Sequence, residues 1–311
     1  MSAAGSRLRI DGENMPIYEL AAVGAATCWA ITGLLAAGPA GRLGALAFNR
    51  TRQLFVAALL GVYVLASGSW REIQPEALSS LLLSGFIGIF VGDTLLFTCL
   101  NRLGPRRSGI LFALNAPIAA LLAWAVLGEQ LPASAVVGIG LTLSGVLLAI
   151  LFGKRKAQLH EWESVKGPLW LGVLFGLLAA LSQAVGSLIA RPVMATGIDP
   201  LAASMLRVGV AALCLTALTM MPIDAVRPRG PMTRSLFLQT AFTGIIALAF
   251  GMTLLLFALS GGKVGIVSTL SATTPVIILP LLWLRTREAP APGAWAGAAL
   301  VVSGMALMFW R

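Results

Sequence analysis

The sequence predicts an all-α integral membrane protein of ten transmembrane helices, arranged as two inverted five-helix repeats. Three observations predict it. Hydrophobic residues make up 58% of the 311 and charged residues only 11%, against about a quarter charged in soluble domains. The chain therefore cannot cover a globular surface with polar side chains. Apolar runs close to the roughly 20 residues that a spanning helix needs recur ten times, and stretches of the second half lie over stretches of the first, two of them at the same offset.

The first run, 17–37, follows Arg7 and Arg9, as the core of a signal peptide follows its basic start. It is too long for a cleaved core and nine runs come after it, so an uncleaved first helix is expected. GPAGR separates it from the second run, 43–66. GSWREIQPE precedes the third, 78–98, RLGPRR the fourth, 108–127, and GEQLP the fifth, 133–152. The longest and most charged break, GKRKAQLHEWESVKG, divides the chain. The remaining runs are 168–190, 200–221, 235–258, 264–284 and 293–310, separated by TGIDP, VRPRGPMTR, SGGK and RTREAPAPG. Glycine, proline and charge are the residues that end helices. The expected organisation is a tail at 1–16, a first repeat at 17–152, a linker at 153–167 and a second repeat at 168–311.

The repeat is visible in the residues. GFIGIFVGDTLLF (85–97) lies over GIIALAFGMTLLL (244–256), 159 residues on, and VVGIGLTLSGVLL (136–148) over WAGAALVVSGMAL (295–307) at the same offset. With five spans per repeat the second copy enters the membrane from the opposite side, the ground plan of many secondary transporters. Loop charge agrees with inversion: Arg102, Arg106 and Arg107 after the third run stand against Lys263 alone after the eighth. Arg71 alone after the second stands against Arg227, Arg229 and Arg234 after the seventh. One side of the membrane collects 13 Lys and Arg and the other 6, so the positive-inside rule puts both termini outside the cytoplasm. The net charge of +10 is thus explained by basic loops at anionic headgroups. Membrane lipids, and no nucleic acid, are the expected partners.

Polar residues inside the apolar runs are the candidates for chemistry. Asp93 is an intramembrane carboxylate, by default a functional hypothesis. It could couple transport to a proton, hold a substrate ammonium group, or pair structurally with an arginine of a neighbouring helix. On its helix Gly85, Gly88, Gly92 and Cys99 share one sector suited to close packing, while Ser80, Thr94, Thr98 and Asn101 share a polar stripe suited to a water-filled space. Arg50 and Arg52 lie within the second run, where Arg52 is expected to snorkel. Arg207 lies deeper, seven residues past Pro200, and suits a substrate carboxylate. Pro117 and Pro275, at matching places, each free a carbonyl four residues earlier and are the expected hinges. Asn115 and the tract STLSATTP, with Ser268, Ser271 and Thr274, stand beside these breaks. They either line a binding cavity or satisfy the freed backbone. Trp29, Trp124, Gln183, Ser187 and Gln239 are further inward candidates.

Other chemistry is not indicated. Cys28, Cys99 and Cys214 all lie in apolar runs without disulfide or metal spacing. His160, the single histidine, sits in the charged break. No phosphate loop, dinucleotide turn or metal-ligand pair is present, so no cofactor, no metal and no enzymatic activity is expected.

Ten runs in two repeats, Trp29 in the first helix, and a proline-then-glutamate pattern closing each repeat, NAPIAALLAWAVLGE (115–129) and TTPVIILPLLWLRTRE (273–288), resemble the drug/metabolite transporter superfamily, EamA type. Within it the chain resembles the amino-acid exporters. The resemblance covers about 18–151 and 168–310. It implies a basket of helices around a central cavity in a bacterial inner membrane, working on a small-molecule substrate by alternating access; because ten spans can form a complete cavity, a monomer is expected. Export of amino acids is the function it implies first, with a flippase or permease for lipid-linked or other metabolites as the alternative.

Overall fold

A computed structural model describes residues 16–152, 167–220, 228–287 and 291–309. The expected tail and linker, with His160, fall almost wholly outside the described residues. Among the described residues thirteen α-helices follow one another: α1 (Ile17–Leu43), α2 (Ala45–Ser67), α3 (Pro75–Gly85), α4 (Gly92–Ala113), α5 (Asn115–Leu127), α6 (Ala133–Phe152), α7 (Leu169–Met194), α8 (Pro200–Leu218), α9 (Arg234–Gly244), α10 (Thr253–Gly261), α11 (Val264–Ser271), α12 (Thr274–Thr286) and α13 (Pro292–Phe309). Two π-helical segments, Phe86–Val91 and Ile245–Met252, join α3 to α4 and α9 to α10.

Six segments are long and apolar enough to cross a membrane: Ile17–Ala36, Pro75–Leu100, Leu169–Met194, Pro200–Leu218, Arg234–Gly261 and Val264–Leu281. Shorter apolar helices cover Leu111–Leu127, Ala133–Ala149 and Pro292–Met308. With α2, these segments fall on the predicted runs. The details differ at two breaks. GPAGR is helical through Leu43, because Gly44 alone makes the turn: its φ of 83° is open to glycine, and its N–H closes α1 on Ala40 O at 2.9 Å. At RLGPRR the backbone stays helical throughout α4, yet Cys99 Sγ and Ser108 Oγ are 3.1 Å apart. A straight helix would separate nine residues by about 13.5 Å, so α4 folds back on itself between them.

The interior is made of small side chains and the exterior of large ones. On α1, Ala21, Ala22, Ala25, Ala26 and Ala30 are at most 8% exposed, whereas Val62, Leu65, Leu121 and Leu213 are 65–72% exposed. Without a hydrophobic drive between helices in lipid, close backbone approach is what holds such a bundle. The clearest case is α6 against α13. A Cβ on Gly138 would lie 2.6 Å from Gly304 O, and one on Gly145 would lie 2.5 Å from Gly297 O. As α6 advances from Gly138 to Phe152, its contacts on α13 retreat from Met308 to Gly293, so the two helices are antiparallel. The 159-residue offset carries Gly138 onto Gly297 and Gly145 onto Gly304, and therefore exchanges the two contacts.

The halves of the chain interlock. Helix α1 packs chiefly on α9, the second π segment, α10, α11 and α12, while α7 packs on α3, the first π segment, α4 and α5. Each half thus lends its first helix to the other.

Candidate functional site

Asp93 stands just after the first π segment, and its environment is assembled from α2 and α8. Its Oδ2 accepts hydrogen bonds from Asn49 Nδ2 at 3.2 Å and Gln53 Nε2 at 3.4 Å. Arg52 Nη2 donates to Asn49 Oδ1 at 2.9 Å, so Asn49 relays between the guanidinium and the carboxylate. Arg52 also lies 5.3 Å above the Phe48 ring, a cation–π contact. The snorkelling expected of Arg52 is therefore replaced by an inward turn toward Asp93, which supplies the opposite charge within the bundle. Asn49 and Gln53 are fully buried; the sequence reading passed over both. The signal was there, since Asn49, Arg52 and Gln53 are spaced by three and four residues and so share one face of α2.

Arg207 is the largest fully buried side chain. Its Nη1 points at Met252 Sδ, 3.4 Å away, a weak acceptor. The charges of Arg52 and Arg207 both act on Asp93. Each arginine is seated against a glycine of the opposite half. A Cβ on Gly85 would lie 2.6 Å from Arg207 Cα, and one on Gly244 would lie 2.6 Å from Arg52 Cγ. Those glycines are 159 residues apart, and the arginines, 155 apart, match to within a residue in the register that lays VAALL (56–60) over VAALC (210–214). Gly88 completes the seat, 3.1 Å from Gly186 Cα and 3.2 Å from Arg207 Nη2 by the same measure, so the packing face read from the sequence is the one used. Among the described residues Arg52 Nε, Gln53 Oε1, Arg207 Nε and Nη2, and Thr253 Oγ1 are buried without a hydrogen-bond partner.

The π segments shape the surroundings. A π turn releases carbonyls from the α-helical ladder, and side chains collect several of them. Thr94 donates to Phe90 O at 2.6 Å, Trp29 Nε1 to Ala247 O at 3.0 Å, and Ser204 to Leu248 O at 3.3 Å. Trp29 thereby ties α1 to the second π segment. Thr98 donates to Thr94 O at 2.7 Å. Thr94, Thr98 and Asp93 are all half-buried.

The remaining candidates divide. Helical order breaks at Leu114 and again at Ala272 and Thr273, just before Pro117 and Pro275. The polar groups beside those breaks serve the backbone. Asn115 donates to Phe112 O at 2.6 Å, Ser271 to Ser268 O at 3.0 Å and Thr273 to Leu270 O at 2.6 Å, with Ser268 buried beside them. Thr274 reaches Ala26 O of α1 at 3.3 Å and Ser271 O at 3.2 Å. Gln183 is half-buried on α7 beside Ser182, which faces Gly92, and Ser187 is buried nearby. Gln239 is exposed on α9 and donates to Ser235, away from Asp93. Trp124 is 59% exposed and faces outward. The Asn101 side chain lies outside the described residues.

A second polar cluster joins the halves elsewhere. Glu129 Oε2 accepts from Val264 N, the start of α11, at 2.9 Å, and Glu129 Oε1 lies 3.7 Å from Arg191 Nε. Arg191 also donates to Ser260 O at 3.4 Å, and Lys263 Nζ donates to Gln130 O.

Comparison with known proteins places the chain. Among curated proteins no sequence matches significantly. A crystal structure of another protein superposes over 94% of this chain and 96% of its own with a TM-score of 0.77 and 20% identity, a likeness that shows the fold. The profile of the EamA-like transporter family matches residues 16–151 and again 170–310, most of the described helices in both halves. With buried charge set among apolar spans and both halves matched, this multi-pass membrane protein belongs to the EamA-like transporter family, whose members move small molecules across membranes.

Proposed function

We propose that this protein is an exporter of small metabolites, amino acids first among them, in a bacterial inner membrane. In this reading its ten spans form two inverted five-helix repeats, divided by the linker at 153–167, with both termini outside the cytoplasm. The antiparallel α6–α13 contact supports the inversion. Exchange of its two glycine contacts by the repeat corresponds to a two-fold axis across the helices, which lies in the membrane plane. The single observation that carries the function is the intramembrane group of Asp93, Asn49, Arg52, Gln53 and Arg207, half-buried at Asp93 and Arg52 and buried at the other three, where a carboxylate and two guanidinium groups from both halves converge. Intramembrane charge of this kind marks a transport path.

The interlocked packing refines the alternating-access motion. The sequence repeats cannot rock as two bodies, because each holds a helix of the other. The bodies that could move are α1 with α9–α12 and α7 with α3–α5. Asp93, on α4 just after the first π segment, and Arg207, on α8, then change their separation as the bodies turn. The Glu129–Arg191 pair and the α11 N-terminus close one end. Pro117 and Pro275 stand at the helix breaks where bending is easiest.

Counterflow of a labelled amino-acid panel into proteoliposomes, with and without a pH gradient, tests the reading. Saturable exchange of some members is expected, and a gradient effect lost in Asp93→Asn would assign proton coupling to Asp93. Folded protein that exchanges no member sinks amino-acid export and leaves lipid-linked or other metabolite cargo.

A further inference from the structure

Among the described residues, the charged group at the centre is one negative charge short. Of the other carboxylates whose side chains are described, Glu129 is held by Arg191 and α11, Asp199 accepts from Leu201 N at the start of α8, Glu76 lies at the exposed start of α3, and Glu19 is buried in the first turn of α1. Of them all, only Asp93 is tied into the arginine group, through Asn49 to Arg52. The repeat shows where the missing charge would stand. Asp93 and Met252 are equivalent positions, 159 residues apart. Asp93 is tied through Asn49 to Arg52, whereas the equivalent arginine, Arg207, meets the Met252 thioether. Arg207 is fully buried, with Nε and Nη2 lacking any partner among the described residues, and Arg52 Nε is in the same condition. An arginine cannot shed its charge by losing a proton, and a buried charge without a counter-charge is strongly destabilising. Each guanidinium also presents a planar fork suited to a carboxylate or phosphate.

From the unpartnered Nε and Nη2 of Arg207 and the thioether at the repeat position of Asp93, we infer that the cargo carries a net negative charge, its anionic group docking on Arg207 where the second repeat lacks a carboxylate. Resting on the transport reading above, this narrows the cargo to acidic amino acids and other small organic monoanions. A neutral zwitterion brings its own ammonium group and leaves the excess positive charge in place; a monoanion removes it. Asp93 then has a selective role as well, since it repels a cargo with a second unscreened anionic group.

The test compares isosteres in the counterflow assay: labelled glutamate against glutamine, and aspartate against asparagine. Exchange of the acidic member is expected to exceed that of its amide on the order of a hundredfold, the scale of leaving a buried charge unpaired. Met252→Glu installs the missing carboxylate, so it should raise the melting temperature of the detergent-solubilised protein and abolish acidic exchange. Arg207→Gln removes the excess charge instead of pairing it, and should abolish both acidic exchange and any stabilisation by added anions.

A second readout needs no transport. Glutamate, lactate or inorganic phosphate should raise the melting temperature of the wild-type protein and leave Met252→Glu unmoved. Amides exchanged as well as acids would overturn the inference and leave the transport reading standing. Folded protein that exchanges nothing yet is stabilised by organic anions, in a manner lost in Met252→Glu, would uphold the anion site and sink amino-acid export. Stabilisation by chloride alone, or by no anion, would assign the compensation to a resident halide or to water and overturn the inference.

Discussion

Two alanine substitutions on one helix should change stability in opposite directions. On α6, a Cβ at Gly145 would stand 2.5 Å from Gly297 O, 2.8 Å from Val301 N and 2.9 Å from Leu300 Cβ. Two of these three atoms are backbone and cannot swing away. Contacts between carbon atoms are best near about 3.5 Å, so Gly145→Ala forces α6 and α13 apart by roughly 0.6–1 Å. A gap of that size forfeits about a quarter to a half of each dispersion contact across it. The loss falls along the whole interface, because the other three glycine approaches depend on the same separation. Overpacking of this kind costs about 1–3 kcal/mol. At Gly140, on the same helix, nothing lies within 4 Å of the added carbon. Gly140→Ala therefore gains up to about 1 kcal/mol of helix propensity and meets no obstacle. Thermal or denaturant unfolding in one detergent should separate the two variants by about 2–3 kcal/mol. Gly297→Ala should repeat the loss, and the double variant Gly145→Ala/Gly297→Ala should fall short of the sum, since the first substitution has already opened the contact. Equal shifts for Gly145→Ala and Gly140→Ala would refute the close-packed α6–α13 interface.

Further substitutions probe the polar clusters. Asn49→Ala removes both halves of the Arg52–Asn49–Asp93 relay. A loss of about 1–3 kcal/mol is expected by the same unfolding assay, with weakened exchange in counterflow. Trp29→Phe keeps the ring but leaves Ala247 O without its donor; a loss of about 1 kcal/mol is expected, read as a lower melting temperature. Glu129→Gln keeps an oxygen for Val264 N and gives up only a long ion pair, so a change under about 1 kcal/mol is expected. Glu129→Ala should cost more, because the α11 N-terminus then loses its acceptor; comparing the two melting temperatures decides it.

The membrane class and the repeat were legible because lipid imposes a coarse rule: every span must be long and apolar, and every break must show polar or bending residues. The glycine face at 85, 88 and 92 was legible for the same reason, since close helix approach needs small side chains at helical spacing. The π segments were not. A single extra residue per turn leaves no mark in hydrophobicity, and only their recurrence at matched places in both halves gives them away. Asn49 and Gln53 were hidden by their neighbours: Arg50 and Arg52 read as helix-end charge and drew attention from the amides between them. The hydroxyl tract before Pro275 misleads in the other direction. Its composition suggests a ligand site, while its hydroxyls mostly serve carbonyls of the broken helix.

The interlocking of the halves bears on how the chain is made. Helix α1 is made well before α9–α12, which lie more than 190 residues later and supply the surfaces that cover its alanine face. During synthesis α1 must wait in the bilayer with a face of Ala21, Ala25 and Ala26 turned to lipid or to a chaperone. Newly made chains truncated before α9 would retain that orphaned face, a mark by which membrane quality control can recognise an unfinished molecule. For the same reason, two fragments divided at the charged linker, each unable to cover its own first helix, should find stability only in one another.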